Sequence, residues 1–320
     1  MAGTGKFLVT GGAGFIGSHL LEALLARGCA VAALDNYDDF YSPAIKRRNL
    51  EEVARRGEVQ VFEADIRDQA ALRKAFDEAK PEVVIHLAAR AGVRPSIEQP
   101  ELYAAVNVDG TVNLLTLARD FALKKFVFIS SSSIYGATAQ VPFVEDHVEM
   151  RPVSPYAATK LAGELLCYTY SHLYQIPIVC LRLFTVFGPR QRPDLAIHKF
   201  AALIEQGKPI PLFGDGSSSR DYTFVDDIVE GILAAADFET HYDIFNLGNS
   251  HPVKLSELVE HLEKALGKKA RVNSLPPQPG DVPITWADIS KAHRLLGYRP
   301  KTSLPEGIER FIAWMRGGRH

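Results

Sequence analysis

Cysteine is nearly absent from this chain. Its three cysteines, Cys29, Cys167 and Cys180, have apolar neighbours and no paired spacing. That excludes a disulfide framework and reads as buried free thiols in a reducing compartment. An excess of charge is also lacking: 36 basic residues against 38 acidic give a net charge of −2. No nucleic acid is expected as the main partner, although a local cluster of cations can still take an anionic ligand. The 10 histidines include no pair at the helical spacing of metal ligands, so no metal is expected. No uninterrupted apolar run is long enough to cross a bilayer, and Lys6 leads straight into a strand rather than a signal peptide. The expectation is a cytoplasmic protein with no membrane partner. Internal repeats and low-complexity tails are missing as well.

What is present is the composition of an ordinary globular protein, 47% hydrophobic and 23% charged. Short, nearly continuous apolar runs recur at Phe7 to Thr10, Ala30 to Leu34, Val59 to Glu63, Val83 to Leu87, Phe126 to Ser130 and Ile178 to Leu183. Amphipathic stretches separate them, the first over Ile16 to Arg27. Such runs call for strands buried on both faces, hence an α/β doubly wound parallel sheet of the Rossmann type over residues 1–183. Beyond Leu183 the texture turns to short elements rich in Pro and Gly, with a helical period at Leu255 to Leu266 and an irregular loop from Pro276 to Gly280. A smaller mixed α/β lobe over residues 184–320 fits. Tyr242 to Leu247 reads again as a strand, so a segment near 222–250 is expected to return to the first sheet.

The first strand opens into Gly11-Gly12-Ala13-Gly14-Phe15-Ile16-Gly17. Glycines 11, 14 and 17 at the start of a helix allow a tight turn, close backbone approach to a pyrophosphate, and free N–H groups at the positive helix end. Asp35 ends the second strand, about 20 residues past the turn, where a carboxylate accepts both ribose hydroxyls of NAD and repels a 2′-phosphate. Asn36 follows it. Asp65 and Ile66 lie where an adenine would be contacted, and Leu87, Ala88 and Ala89 are small or apolar enough for a cofactor to come close. The cluster Lys46, Arg47 and Arg48 either folds back toward the adenosine or forms a solvated helix face.

Ser154-Pro155 starts another helix, which sets Tyr156 and Lys160 one turn apart on one face. A lysine ammonium there is expected to lower the phenol pKa toward working pH. The fifth strand ends in Ser130-Ser131-Ser132-Ser133-Ile134-Tyr135-Gly136, at the carboxyl edge where ligands bind in open parallel sheets. Hydroxyl, phenol and amine together make a proton relay.

These features resemble the extended short-chain dehydrogenase/reductase family of NAD-dependent epimerases and dehydratases. The similarity continues through Arg220-Asp221-Tyr222-Thr223-Phe224-Val225-Asp226-Asp227 and covers nearly the whole chain. Within the family, three stretches resemble UDP-glucuronate 4-epimerases: Leu34 to Tyr41, Ala91 to Ser96, and Phe184 to Pro189 leading to Arg192-Pro193-Asp194. The resemblance implies bound NAD and inversion at C4 of a UDP-sugar through a 4-keto intermediate, UDP-glucuronate first among candidates. Tyr156, Ser131 and Lys160 would be catalytic, with Lys160 also holding the nicotinamide ribose. Ser133 stands where relatives that dehydrate or decarboxylate the 4-keto sugar carry an acid. Thr185 stands where glucose epimerases tend to have Asn.

Ser132, Ser133, Thr185 and Arg192 could therefore cradle a sugar carboxylate, with Arg94 a second cation serving it or the diphosphate. The resemblance also implies Arg220 and Asp281 at the diphosphate and uridine ribose, and Pro209, Ile210 and Phe213 around the base. Gln278 replaces an Arg of some relatives. A homodimer through helices around Tyr103–Ala118 and Ala157–Tyr174 is expected. The alternatives are a UDP-glucose or UDP-N-acetylglucosamine 4-epimerase, then a UDP-glucuronate decarboxylase. A silent dinucleotide-binding sensor is disfavoured by the intact relay.

Overall fold

The computed structural model describes residues 5–137, 140–147, 150–276 and 281–318. Its first half alternates β1 (Lys6–Thr10), α1 (Phe15–Ala26), β2 (Ala30–Asp35), α2 (Pro43–Ala54), β3 (Val59–Glu63), α3 (Gln69–Ala79) and β4 (Val83–His86). Two short helices, α4 (Val93–Glu98) and α5 (Pro100–Ala104), run through a π-helical turn into α6 (Gly110–Asp120). Next come β5 (Lys125–Ser131), α7 (Pro155–Tyr174) and β6 (Ile178–Leu183).

Strand residues such as Leu8, Val9, Val84, Ile85, Phe126 and Val127 are fully buried because helices cover both faces of the sheet. Their side chains alternate between two apolar clusters, Val9, Ile85 and Val127 on one face, Leu8, Val84 and Phe126 on the other. Helix α7 begins where the sequence places it: the Ser154 hydroxyl accepts the Ala157 N–H at 3.2 Å, and Pro155 occupies the first turn.

The remaining elements are β7 (Thr185–Phe187), α8 (Ala196–Glu205), β8 (Pro209–Phe213), β9 (Ser219–Phe224), α9 (Val225–Asp237) and β10 (Tyr242–Leu247). They are followed by β11 (Pro252–Lys254), α10 (Leu255–Leu266), β12 (Arg271–Leu275), α11 (Ser290–Leu296) and α12 (Leu304–Arg316). The main sheet has seven strands in the order β10-β6-β5-β4-β1-β2-β3, all parallel. Strand β10 leaves the second half and pairs with β6 from Tyr242↔Ile178 to Leu247↔Leu183. A three-stranded sheet β11-β9-β7 and a pair β12-β8 make up the rest. The order reverses at β1, whose neighbours are β4 and β2, and the crevice above its carboxyl end is the natural ligand position. The three cysteines are buried and free. No helix among the described residues is long and apolar enough to cross a membrane.

Candidate active site

A cavity of about 500 Å³ opens at the carboxyl ends of the central strands and extends to the loop after β7. The glycine turn forms its floor. Gly11 has φ +71°, and a side chain on Gly17 would put its Cβ 2.2 Å from the Gly11 carbonyl oxygen. Only glycine lets turn and helix sit this close. Helix α1 has no side-chain cap, so its first N–H groups face the cavity beside Gly14, Phe15, Ile16 and Gly17. Asp35, buried at the end of β2, accepts the N–H of Ala13 at 3.1 Å and of Tyr37 at 2.9 Å. Burial raises its pKa, opposed first by the charge of Lys46.

Asn36, Asp65, Ile66, Leu87, Ala88 and Ala89 line the same wall. The Asn36 amide donates to Asp65 at 2.9 Å, and Arg67 grips Asp65 through its side chain, holding that carboxyl down at about 2. The basic cluster divides. Lys46 lines the cavity and donates to the Asp38 carbonyl at 2.6 Å, whereas Arg47 faces out, paired with Glu63 at 3.1 Å.

Tyr156 and Lys160 project from α7 into the cavity opposite Ser131, at the end of β5. Ser131 is hydrogen-bonded to the Tyr156 phenol and also donates to the Ser133 hydroxyl at 3.0 Å. The direction of the phenol shift corrects the expectation from sequence. Burial raises the Tyr156 pKa, and the opposing influences are the Ser131 hydrogen bond and the charge of Arg192. Lys160 is itself buried, which brings it down to about 8, and its Nζ donates to the Ile129 carbonyl at 2.7 Å. An ammonium turned toward a backbone carbonyl and weakened by burial does not outweigh the desolvation of the phenol.

Ser132, Ser133, Thr185 and Arg192 line the cavity near Tyr156. Arg192, 16% exposed, already has a carboxylate partner: Nε and Nη2 donate to the two oxygens of Asp194 at 3.0 and 2.9 Å. The other predicted substrate residues lie beyond this cavity. Arg94 pairs with Asp281 at 2.8 Å and sits 4.7 Å from the Phe213 ring centroid. Burial disfavours the charge of Arg220, which feels both Asp281 and Arg94, so these four form one cluster. Pro209 and Ile210 do not join it in the same manner: Pro209 is exposed, and Ile210 is enclosed in the main core. Gln278 lies outside the described residues.

Several cavity residues are not apparent from sequence. Asp38, Phe40, Tyr41 and Arg90 line it, and Arg90 forms an ion pair with Asp38. A buried polar chain backs the site. His86 lies between the hydroxyls of Thr10 (2.8 Å) and Thr111 (3.1 Å), and burial brings its pKa down to about 3. Asn107 reaches the Thr159 hydroxyl at 3.0 Å, which in turn donates to the Tyr156 carbonyl at 2.8 Å. Tyr103 packs edge-on against Tyr156, with centroids 6.3 Å apart. A polar residue inside an apolar strand, as at His86, is the one signal in sequence that marks this chain. Among the described residues, no group of His, Cys, Asp and Glu could hold a metal.

Comparison with known proteins bears on this geometry. The family profile described as GDP-mannose 4,6 dehydratase matches residues 8–311. A UDP-glucuronate 4-epimerase of Thermodesulfobacterium geofontis is 45% identical over 313 residues, 98% of this chain and 96% of that one. The structure resembles that of the UDP-glucuronic acid 4-epimerase of Bacillus cereus in complex with UDP-glucuronic acid and NAD. The TM-score is 0.91 and the identity 39%, over 98% of this chain and 99% of that one. It also resembles the UDP-glucose 4-epimerase of Thermus thermophilus in complex with NAD, with TM-score 0.89 and 36% identity over 97% and 99% of the two chains.

Proposed function

The chain belongs to the GDP-mannose 4,6-dehydratase family of extended short-chain dehydrogenases, and from that premise we propose that its cavity inverts C4 of a UDP-sugar with NAD, UDP-glucuronate being the substrate. The observation that carries this reading is the meeting, in one cavity, of a bare glycine turn, a Ser–Tyr–Lys group and an arginine among hydroxyls. The cradle fits the cofactor. Gly11 and Gly17 leave room for a diphosphate against backbone, and the uncapped end of α1 supplies N–H donors. Asp35 stands ready for ribose hydroxyls. Bound NAD supplies a hydride acceptor that becomes the donor in the second half of the reaction, so no net oxidation occurs.

The residues of this chain do the rest. Tyr156, in its phenolate form, takes the proton of the C4 hydroxyl and returns it after inversion, with Ser131 favouring the phenolate. Burial favours the neutral phenol, and the Arg192 charge offsets part of that cost. Lys160 fixes the helix against β5 through the Ile129 carbonyl and keeps its remaining N–H donors for a ribose. Arg192, with Ser132, Ser133 and Thr185, holds the sugar carboxylate. A 4-keto glucuronate is a β-keto acid that tends to lose carbon dioxide. Holding its carboxylate out of line with the carbonyl protects it, and Ser133 supplies no acid for elimination.

The Arg94, Phe213, Arg220 and Asp281 cluster takes the nucleotide end. Helix α7 exposes Leu165 (62%), Tyr168 (55%) and Leu173 (61%), an apolar surface suited to a second copy of the chain. The buried free thiols fit the cytoplasm.

Incubation with a panel of UDP-sugars, with C4 inversion followed by proton NMR, tests the reading. UDP-glucuronate is expected to give UDP-galacturonate with no UDP-pentose. Inversion confined to neutral UDP-sugars would replace the acidic substrate with a neutral one, and a UDP-pentose product would make the protein a decarboxylase.

A further inference from the structure

The arginine assigned to the sugar carboxylate does not stand alone. The guanidinium carbons of Arg192 and Arg90 both lie over the Phe40 ring, each 5.0 Å from its centroid. Each cation has its own carboxylate, Arg192 with Asp194 and Arg90 with Asp38. Asp38, Arg90, Phe40 and Arg192 all line the cavity. The assembly ties together three loops: the one after β2, which follows Asp35, the one after β4, and the one after β7.

A guanidinium is a flat fork with two edges that can each meet a carboxylate, one made by Nε and Nη2, the other by Nη1 and Nη2. Asp194 occupies the first edge of Arg192. The Phe40 ring occupies a face, an arrangement favoured by the negative potential over an aromatic ring. With one edge and one face held, the group can neither swing nor roll. Arg192 lines the cavity, and with Asp194 on the first edge the Nη1–Nη2 edge is the one left to meet a ligand.

We propose that Phe40 is a specificity-determining positioning residue. It acts through Arg192, which it holds with Asp194 so that the free edge of the fork meets the carboxylate of an acidic sugar. This rests on the reading above that the substrate is UDP-glucuronate. A neutral sugar has no group for that edge, so loosening the fork costs the acidic substrate selectively.

The test compares wild type, F40L, F40Y and D194A with UDP-glucuronate and UDP-glucose, reading kcat and KM separately alongside NAD content. F40L is expected to raise KM for UDP-glucuronate about three- to tenfold with little change in kcat, leaving UDP-glucose kinetics and NAD content close to wild type. F40Y keeps the ring and is expected to restore the wild-type KM. D194A frees the first edge and is expected to reduce the preference for the acidic sugar about threefold. Equal losses for both sugars in F40L, or failure of F40Y to rescue, would reduce Phe40 to a packing residue and overturn the proposal. An unchanged preference in F40L and D194A, with wild type active on UDP-glucuronate, would overturn it while leaving the function intact. A wild type inactive on UDP-glucuronate would remove the acidic substrate itself and the proposal with it.

Discussion

The regions proposed for the cofactor and for the sugar nucleotide are built of different materials. The cofactor end is made of backbone: a glycine turn, an uncapped helix end and a buried carboxylate whose oxygens are fixed by two N–H groups. The proposed sugar-nucleotide region is made of long charged side chains already paired with one another, Arg192 with Asp194 in the cavity and Arg94 with Asp281 beyond it. Backbone cannot rearrange cheaply, so the first end is preorganised for a ligand that stays. Charged side chains add a ligand's carboxylate or phosphate to the partners they already hold, a contact made and lost with a ligand that arrives and leaves every turnover. On the proposed reading, retention and turnover fall to different kinds of chemistry, one of backbone and one of side chains.

The largest effect is expected at the junction of the two ends. Tyr156→Phe removes only the phenol oxygen, so NAD content and thermal stability should match wild type while kcat falls by about two to four orders of magnitude. Near-normal turnover in this variant would dissolve the division, because the proton chemistry would then belong to neither end as described.

In the proposed sugar region, Arg192→Ala should lower kcat/KM for UDP-glucuronate by about 10- to 100-fold relative to UDP-glucose. That corresponds to the roughly 1.5–3 kcal/mol of a charged hydrogen bond. Release of carbon dioxide and a UDP-pentose by the variant would sharpen the picture further. Identical losses on charged and neutral sugars would assign Arg192 to the nucleotide instead.

At the preorganised end, Gly17→Ala forces a Cβ to within 2.2 Å of the Gly11 oxygen, and the turn must shift. A strain of about 1–3 kcal/mol is expected. It should appear as a lower Tm and as loss of the nucleotide that denatured wild-type protein releases. If the variant kept its full complement of NAD, the backbone cradle would be less rigid than its geometry states.

The parts legible in sequence were those with a local cause. Strand runs, the glycine turn, the Ser154 cap and the Tyr156/Lys160 spacing are each set by neighbours within a turn or two of the chain, and the structure has them within a residue or so of where they were read. The parallel order of the sheet followed from the burial of its strands on both faces. What could not be read depended on distant pairs. The sign of the Tyr156 shift needs the burial of the phenol itself, while Lys160 turns its Nζ to a carbonyl 31 positions earlier in the chain. Arg192 was placed at the cavity from its motif, but its partner Asp194 and the Phe40 ring were not, because nothing in the spacing says which side of a loop an arginine lies on. For Ile210 the spacing likewise does not say that its side chain turns to the main core.

Strand β10 has a consequence for how this architecture can be inherited. It is encoded in the second half yet lies at the edge of the first half's sheet, hydrogen-bonded along all of β6. A gene fragment ending at residue 183 would encode a sheet whose last strand presents an unsatisfied backbone, the template for aggregation. The second half is thus not a cassette that a single crossover could deliver to a new host. Any recombinant must take the strand along or supply a compatible one, so new substrate preferences are more readily reached by changing side chains such as Arg192 in place than by trading lobes.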